Sequence, residues 1–335
     1  MLSRPDAKVH HIVQAIGTSD TERGRSFAQK YCPKETPKIY GSYEEVYHDP
    51  DVDIVYIGTP HAFHKKNCLD AISAGKHVLC EKPFTLNARE TREVFDAAKE
   101  KGVFIAEAMW LRHRPLTLAL QRMIHQENAI GEIFRAVSEF GSELDIPNMP
   151  LDKYYRQNSL GAGSLLDMGI YSLTWVILGL DHGLAADREM PKILAAQSHW
   201  EDVEVSTSAI LHYPTGKQGI MTSTTKATGN PDLLARIYGT TGSIEVHGPC
   251  PSLPRAFTVY PSFVGDSGDS ISRGQGKTYD FTAPGRGFQY QADNIALDVI
   301  NGRKESSIIP HSETIRVMEI MDEIRRQGGT RYPVD

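Results

Sequence analysis

The chain has few cysteines, no excess of basic charge and no long apolar run. Cys32, Cys68, Cys80 and Cys250 stand far apart with no Cys-x-x-Cys spacing. They give no case for a disulfide framework or a thiolate metal site, and they suit a reducing, cytoplasmic setting. No metal is expected. Lys and Arg number 36 against 42 Asp and Glu, a net charge of −6, and the basic residues are scattered; nothing here draws the chain to nucleic acid. No apolar run approaches the roughly 20 residues of a bilayer span, and Met1-Leu2-Ser3-Arg4-Pro5-Asp6 precedes no apolar signal core. Neither membrane insertion nor secretion is expected, and no internal repeat is present. What is there is 40% hydrophobic and 23% charged residues over 335 positions, enough for two globular domains. A small polar substrate fits this charge balance better than a polyelectrolyte.

The first third alternates short apolar runs with amphipathic stretches, the pattern of β-α-β units in a parallel sheet. Strands are expected at Ile12–Gly17, Lys38–Tyr40, Ile54–Gly58, His77–Cys80 and Phe104–Ala108. Helices should follow Ser19-Asp20, run from about Ala62 to Ala74, and start at Asn87, where Glu90 completes a capping box. Proline and basic residues at Trp110-Leu111-Arg112-His113-Arg114-Pro115 mark a boundary, giving domains 1–113 and 114–335. After a helix from about Leu116 to His125, alternating segments dominate: Ile133–Phe140, Lys192–Glu201, Val205–Tyr213, Gln218–Lys226, Leu234–Gly239 and Ser243–His247. Gly-containing turns at Pro214-Thr215-Gly216 and Gly239-Thr240-Thr241-Gly242 read as hairpins. The expected fold is therefore α/β, a Rossmann-like parallel sheet followed by an α+β domain with a mainly antiparallel open sheet, interrupted by a helix at Leu165–Leu178. Gly265 to Gly287 reads as a mobile polar loop, and helices at Phe288–Asn301 and Ser312–Gln327 close the chain, expected to pack back on the first domain.

Ligands of open parallel sheets lie beyond the carboxyl ends of the strands. Here those ends read Thr18-Ser19, Thr59-Pro60-His61, Glu81-Lys82-Pro83 and Glu107-Ala108. An ammonium at the end of a central strand costs desolvation, so Lys82 stands out; the alternative is a structural pair with Glu81 or Glu107. Asp167 and Tyr171 are four residues apart on one expected helix face, behind the small residues Gly161-Ala162-Gly163-Ser164. A Tyr beside a Lys is a workable acid/base pair, because the ammonium favours the phenolate. Alone, Tyr171 reads as a half-buried aromatic, and Asp167 as a helix-surface carboxylate.

Taken in order, Thr59-Pro60-His61 with His64, Glu81-Lys82-Pro83, Glu107-Ala108-Met109-Trp110 with Arg112, and Gly163-Ser164-Leu165-Leu166-Asp167-Met168-Gly169-Ile170-Tyr171 resemble the signatures of the Gfo/Idh/MocA oxidoreductases. The likeness runs from about Val9 onward and is strongest to the branch of NADP-dependent D-xylose and dihydrodiol dehydrogenases. The resemblance implies that Lys82 is catalytic and holds the substrate oxygen, that Tyr171 is the acid/base, and that Asp167 orients substrate hydroxyls. It also implies that Thr18, Ser19, Arg23, Thr59, Pro60, His61, His64, Glu81 and Lys82 line the cofactor site, with Trp110 and Arg112 walling the substrate; either of the last two could instead pack at a hinge. NADP is expected over NAD, because the strand at Ile12–Gly17 ends in hydroxyls with Arg23 one turn on, although Asp20 opposes this if it faces the ribose. The implied partners are a sugar or diol and a second copy of the chain.

The sequence departs from that family at its start, where no Gly-x-Gly-x-x-Gly turn precedes Val9. A strand of the family's sheet would lie between Ile12–Gly17 and Ile54–Gly58. Without it these two strands should either pair directly or leave a slot that another segment or subunit fills, unless the start at Met1 is not the natural one; in each case dinucleotide binding by these residues should be weakened. Three activities stay open: the dehydrogenase, a tailoring enzyme with altered or no redox chemistry, and a non-catalytic ligand-binding regulator. Lys82, Asp167 and Tyr171 together favour an enzyme, whereas the absent glycine turn favours a regulator.

Overall fold

The protein is described from a computed structural model covering residues 7–181, 190–264 and 271–335. It divides into two compact units, Met1–Thr85 with Arg89–Met109 and Phe288–His311, and Leu86–Ala88 with Trp110–Gly287 and Ser312–Asp335.

In the first unit, β1 (Ala15–Gly17), α1 (Thr21–Tyr31), β2 (Lys38–Tyr40), α2 (Tyr43–His48), β3 (Ile54–Ile57), α3 (His64–Ser73), β4 (His77–Glu81), α4 (Ala88–Lys101) and β5 (Ile105–Ala108) alternate as the apolar pattern foretells. The parallel strands form two sheets, β1-β2 and β3-β4-β5. Of the two outcomes expected for β1 and β3, direct pairing does not occur: each is an edge strand. Val78, Cys80, Phe104 and Ile105 are wholly buried, each worth roughly 1.5–3 kcal/mol if its side chain is large. Leu79, Phe104, Ala106 and Ala108 pack with Ile295 of a late helix. Gly24 lets α1 lie close to β2, since a Cβ there would sit 2.9 Å from Ile39 Cγ2.

The second unit is built on one sheet. After α5 (Pro115–His125), β6 (Ile133–Gly141) enters the sheet, and α6 (Ile170–Leu180) packs on it. There follow β7 (Lys192–Trp200), β8 (Val203–His212), β9 (Gln218–Thr224), β10 (Ala235–Gly239), β11 (Gly242–His247), β12 (Ala256–Val264), β13 (Ile271–Arg273) and β14 (Lys277–Asp280). The order is β13-β12-β11-β10-β6-β9-β8-β7, with β14 also on β12. The pairing is antiparallel except between β6 and β9. Both expected hairpins form, joining β8 to β9 and β10 to β11. Of the closing helices, α7 (Phe288–Ile300) belongs to the first unit and α8 (His311–Gly328) to the second for nearly all its length.

Three expectations change. Gly265–Gly287 is not a loop throughout: it contributes β13 and β14, while 265–270 lies outside the described residues. Polar strands suffice at this sheet edge because Thr258 and Thr278 bond across it at 2.9 Å and Tyr279 stacks on Phe257. The helix expected at Leu165–Leu178 opens as a π turn, Leu165–Gly169, before α6 begins. Finally, the helical run Asn158–Leu180 is long and apolar enough to cross a bilayer, but 94% of its most apolar window is buried in the protein, as a core helix would be.

Candidate active site

The expected residues fall into two groups, one on each unit. In the first unit the register sets Ile57 beside Cys80 and Glu81 beside Ala108. The chain therefore leaves β3, β4 and β5 at Gly58-Thr59, Lys82-Pro83 and Met109 on the same edge, where ligands of open α/β sheets bind. Lys82 is half-buried, its backbone N–H donates to Glu81 Oε2 at 3.1 Å, and the peptide to Pro83 is cis. The Tyr56 hydroxyl bonds the other Glu81 oxygen. Glu81 is thus engaged by its own strand end and by β3.

His64 is wholly buried and bridges two loops, with Nε2 2.8 Å from Thr59 O and Nδ1 3.0 Å from Pro83 O. Burial lowers its pKa against the pull of those carbonyls. Asn67 Nδ2 donates to the Thr59 hydroxyl at 3.0 Å, so Thr59 is fixed at both its oxygens. The His61 ring stands edge-on to His64, centroids 5.6 Å apart, just after Pro60. His64 therefore contacts the carbonyls of both Thr59 and Pro83, and the His61 ring packs edge-on against it.

At the end of β1, Thr18 N–H donates to Tyr40 O at 3.1 Å and its hydroxyl bonds the Asp20 backbone. The Asp20 carboxylate caps α1, accepting from Arg23 N at 3.1 Å. Ser19 and Arg23 are exposed, and among the described residues the Arg23 guanidinium has no ion-pair partner, whereas Arg25 pairs with Glu22. A cleft of about 630 Å3 is lined by Ile12–Gly17 and Asp53–Gly58, with Val46 and Tyr47 of α2 at its wall.

In the second unit Tyr171 opens α6, buried, and accepts a hydrogen bond from Trp110 Nε1 at 2.7 Å. The Tyr171 ring also lies near Trp110 and Phe140, centroids 6.2 and 6.0 Å away. Asp167 sits on the π turn, half-buried, and its charge, after burial, helps to raise the pKa of the Tyr154 phenol. Tyr154 donates to Gly161 O at 2.9 Å. The Arg112 guanidinium is buried and pairs with Glu313 of α8 at 2.5 Å. His113 beside it is pushed down to about 3 by burial and by Arg112, so it stays neutral.

A unit of parallel strands alternating with helices, followed by a unit with a mainly antiparallel open sheet, is the architecture of a Rossmann-type oxidoreductase. Residues 3–108 match the family described as "Oxidoreductase family, NAD-binding Rossmann fold", and residues 117–245 match the "GFO/IDH/MocA C-terminal domain". The chain belongs to the Gfo/Idh/MocA oxidoreductases. It is 33% identical to "D-xylose 1-dehydrogenase (NADP(+))" of Hypocrea jecorina, over 97% of this chain and 85% of that protein. It is 34% identical to "Trans-1,2-dihydrobenzene-1,2-diol dehydrogenase" of Sus scrofa, over 97% of this chain and 91% of that one. Among solved structures, levoglucosan dehydrogenase in complex with NADH and levoglucosan shares the fold with a TM-score of 0.80 at 21% identity, covering 97% of this chain and 90% of that one.

Sequence reasoning passed over the support beneath Asp167 and Tyr171. Glu204 of β8 is buried under the start of the π turn and accepts from Ser164 Oγ at 2.7 Å and Leu165 N at 2.8 Å. The available signal was an acidic residue flanked by Val203 and Val205 in an otherwise apolar strand start.

Proposed function

We propose that the chain is an NADP-dependent oxidoreductase that moves a hydride between nicotinamide and a carbinol carbon of a sugar or trans-dihydrodiol. The donor set suits both ends of such a dinucleotide: beside Thr18, Ser19 and Arg23 offer a hydroxyl and an uncommitted cation to a 2′-phosphate, and Thr59, Pro60, His61, Glu81 and Lys82 form a fixed rim for the nicotinamide half. His64 supports that rim. When bound, the nicotinamide supplies the hydride acceptor. Lys82 holds the substrate oxygen and balances its charge as the C–H bond breaks, Tyr171 takes the hydroxyl proton, and Asp167 orients a neighbouring hydroxyl. Trp110, bonded to Tyr171, and Arg112, paired with Glu313, wall the substrate.

The observation that carries this reading is the indole N–H of Trp110 donated to the Tyr171 oxygen at 2.7 Å. A donor aimed at this oxygen stabilises the phenolate that Tyr171 must be before it can take the hydroxyl proton. The relatives named for xylose and dihydrodiol oxidation across nearly the whole chain support the substrate class. The cytoplasm suits the free cysteines, and Leu194 and Ile210, exposed directly opposite one another on β7 and β8, suit a homodimer face. Steady-state oxidation of D-xylose and of a trans-dihydrodiol with NADP tests the proposal. Turnover by the parent that falls ~100 to 10,000-fold in Tyr171→Phe supports it; undiminished turnover in that variant contradicts the acid/base role. Saturable sugar binding by the parent without turnover of any substrate would contradict the redox role.

A further inference from the structure

We infer that Glu204 is a positioning residue that sets the π turn carrying Asp167 and thereby the placement of Tyr171; the catalytic consequence rests on the function proposed above. Glu204 lies on β8 and is 1% exposed. Its carboxylate accepts from Ser164 Oγ (2.7 Å), Leu165 N (2.8 Å) and Thr207 Oγ1 (2.8 Å). Ser164 has one hydroxyl proton and spends it on Glu204, so in the 2.9 Å contact between Ser164 and Ser223 it is Ser223 that donates. The proton order therefore runs from Ser223 of β9 to Ser164 and on to Glu204.

Both ends of the π turn rest on this network. At the start, Gly163 adopts φ +141°, and a Cβ there would lie 3.0 Å from Glu204 Oε2, so only glycine allows the carboxylate to approach the Leu165 amide. At the far end, a Cβ on Gly169 would lie 2.9 Å from Ser223 Oγ. Ile170 N–H reaches back to Leu165 O, the wide i→i+5 bond that defines the turn. Tyr171 is the next residue, and its hydroxyl meets Trp110 Nε1. A free Leu165 amide would let the turn rewind to α geometry, which shifts Asp167 and Tyr171 relative to each other. The network continues away from the turn through Thr207 to Gln197 Nε2 (2.8 Å), and from Gln197 Oε1 to Thr330 Oγ1 (2.7 Å), so Glu204 is braced on its other side too.

The test reads the indole N–H resonance of Trp110 in the full chain, assigned by its loss in Trp110→Phe, together with kcat, KM and NADPH affinity. Tyr171→Phe calibrates the resonance position when the phenol oxygen is gone. We expect Glu204→Ala to move the Trp110 resonance towards that position and to lower kcat by about 100-fold, the scale of a misplacement near 1 Å, with NADPH affinity unchanged. Glu204→Gln keeps an acceptor for Leu165 and should return both readouts most of the way. If Glu204→Ala does not fold, Ser164→Ala is read in the same way. An unmoved resonance in a folded Glu204→Ala or Ser164→Ala protein, or a Gln variant as impaired as Ala, would overturn the inference. A Tyr171→Phe protein that turns over normally, with the resonance still responding to Glu204, would instead remove the acid/base assignment and leave the positioning role standing.

Discussion

Replacing Tyr171 by Phe removes one oxygen and leaves the ring contacts with Trp110 and Phe140 in place, so its two consequences separate. The first is structural. The lost hydrogen bond from Trp110 is buried, the two residues being 4% and 6% exposed, and a neutral bond of this kind is worth about 0.5–1.5 kcal/mol. At roughly 2–4 °C per kcal/mol for chains somewhat shorter than this one, Tm should fall by a few degrees. The second is kinetic, a ~100 to 10,000-fold fall in kcat, far more than such a stability change produces at an assay temperature where both proteins are folded. Thermal unfolding of the parent, Tyr171→Phe, Trp110→Phe and the double variant closes a cycle. The coupling should be about 1 kcal/mol. Strictly additive single changes, within ~0.3 kcal/mol, would show that the indole and phenol do not interact, and the argument for charge stabilisation at Tyr171 would fail.

Lys82→Met should abolish oxidation of any sugar or diol substrate while circular dichroism and Tm stay close to the parent; near-parental kcat would take Lys82 out of the reaction. NADP should bind more tightly than NAD, because Asp20 is spent on the α1 cap and Arg23 is available, and Arg23→Ala should shrink that preference in a calorimetric comparison of the two nucleotides. A tighter dissociation constant for NAD would reverse the assignment. Glu204 supplies a pH effect. Burial raises its pKa despite hydrogen bonds from Ser164, Leu165 and Thr207 and the influence of His199. A raised carboxyl pKa means the folded state binds more protons, so this residue's contribution to stability is greatest below the ordinary Glu range of about 4.3 and declines as pH rises through the folded value. Denaturant midpoints should therefore show Glu204→Gln gaining on the parent as pH increases from 4 to 8, roughly spanning that window; a gain on acidification would refute the sign.

The alternation of β and α elements in the first unit was legible because parallel strands are short apolar runs bounded by Gly, Pro or His, as at Ile54–Ile57 and His77–Glu81. Strand ends then pointed directly to Thr59, Lys82 and Glu107. The edge strands were harder. Pro261 sits inside β12 and demotes its pattern, while β13 and β14 are polar because they lie at the sheet's margin. The π turn was invisible to periodicity, since Leu165, Leu166 and Met168 satisfy an α pattern equally well, and what widens the turn is a carboxylate 39 residues from Leu165 in the sequence. Arg112 shows the same limit. The resemblance set it at the substrate wall or at a hinge, and the buried partner that holds it, Glu313, is 201 residues away. Local pattern located the residues, but long-range hydrogen bonding decided what each one touches.

If this chain uses a phosphorylated nicotinamide dinucleotide in redox chemistry, the purified protein must bind one. A fluorescence titration of the purified protein with NADPH, repeated with NADH, tests it most directly. Binding should be saturable, tighter for NADPH than for NADH, and weakened by Arg23→Ala. No saturable response to either nucleotide, from protein that still binds a sugar or diol, would contradict it.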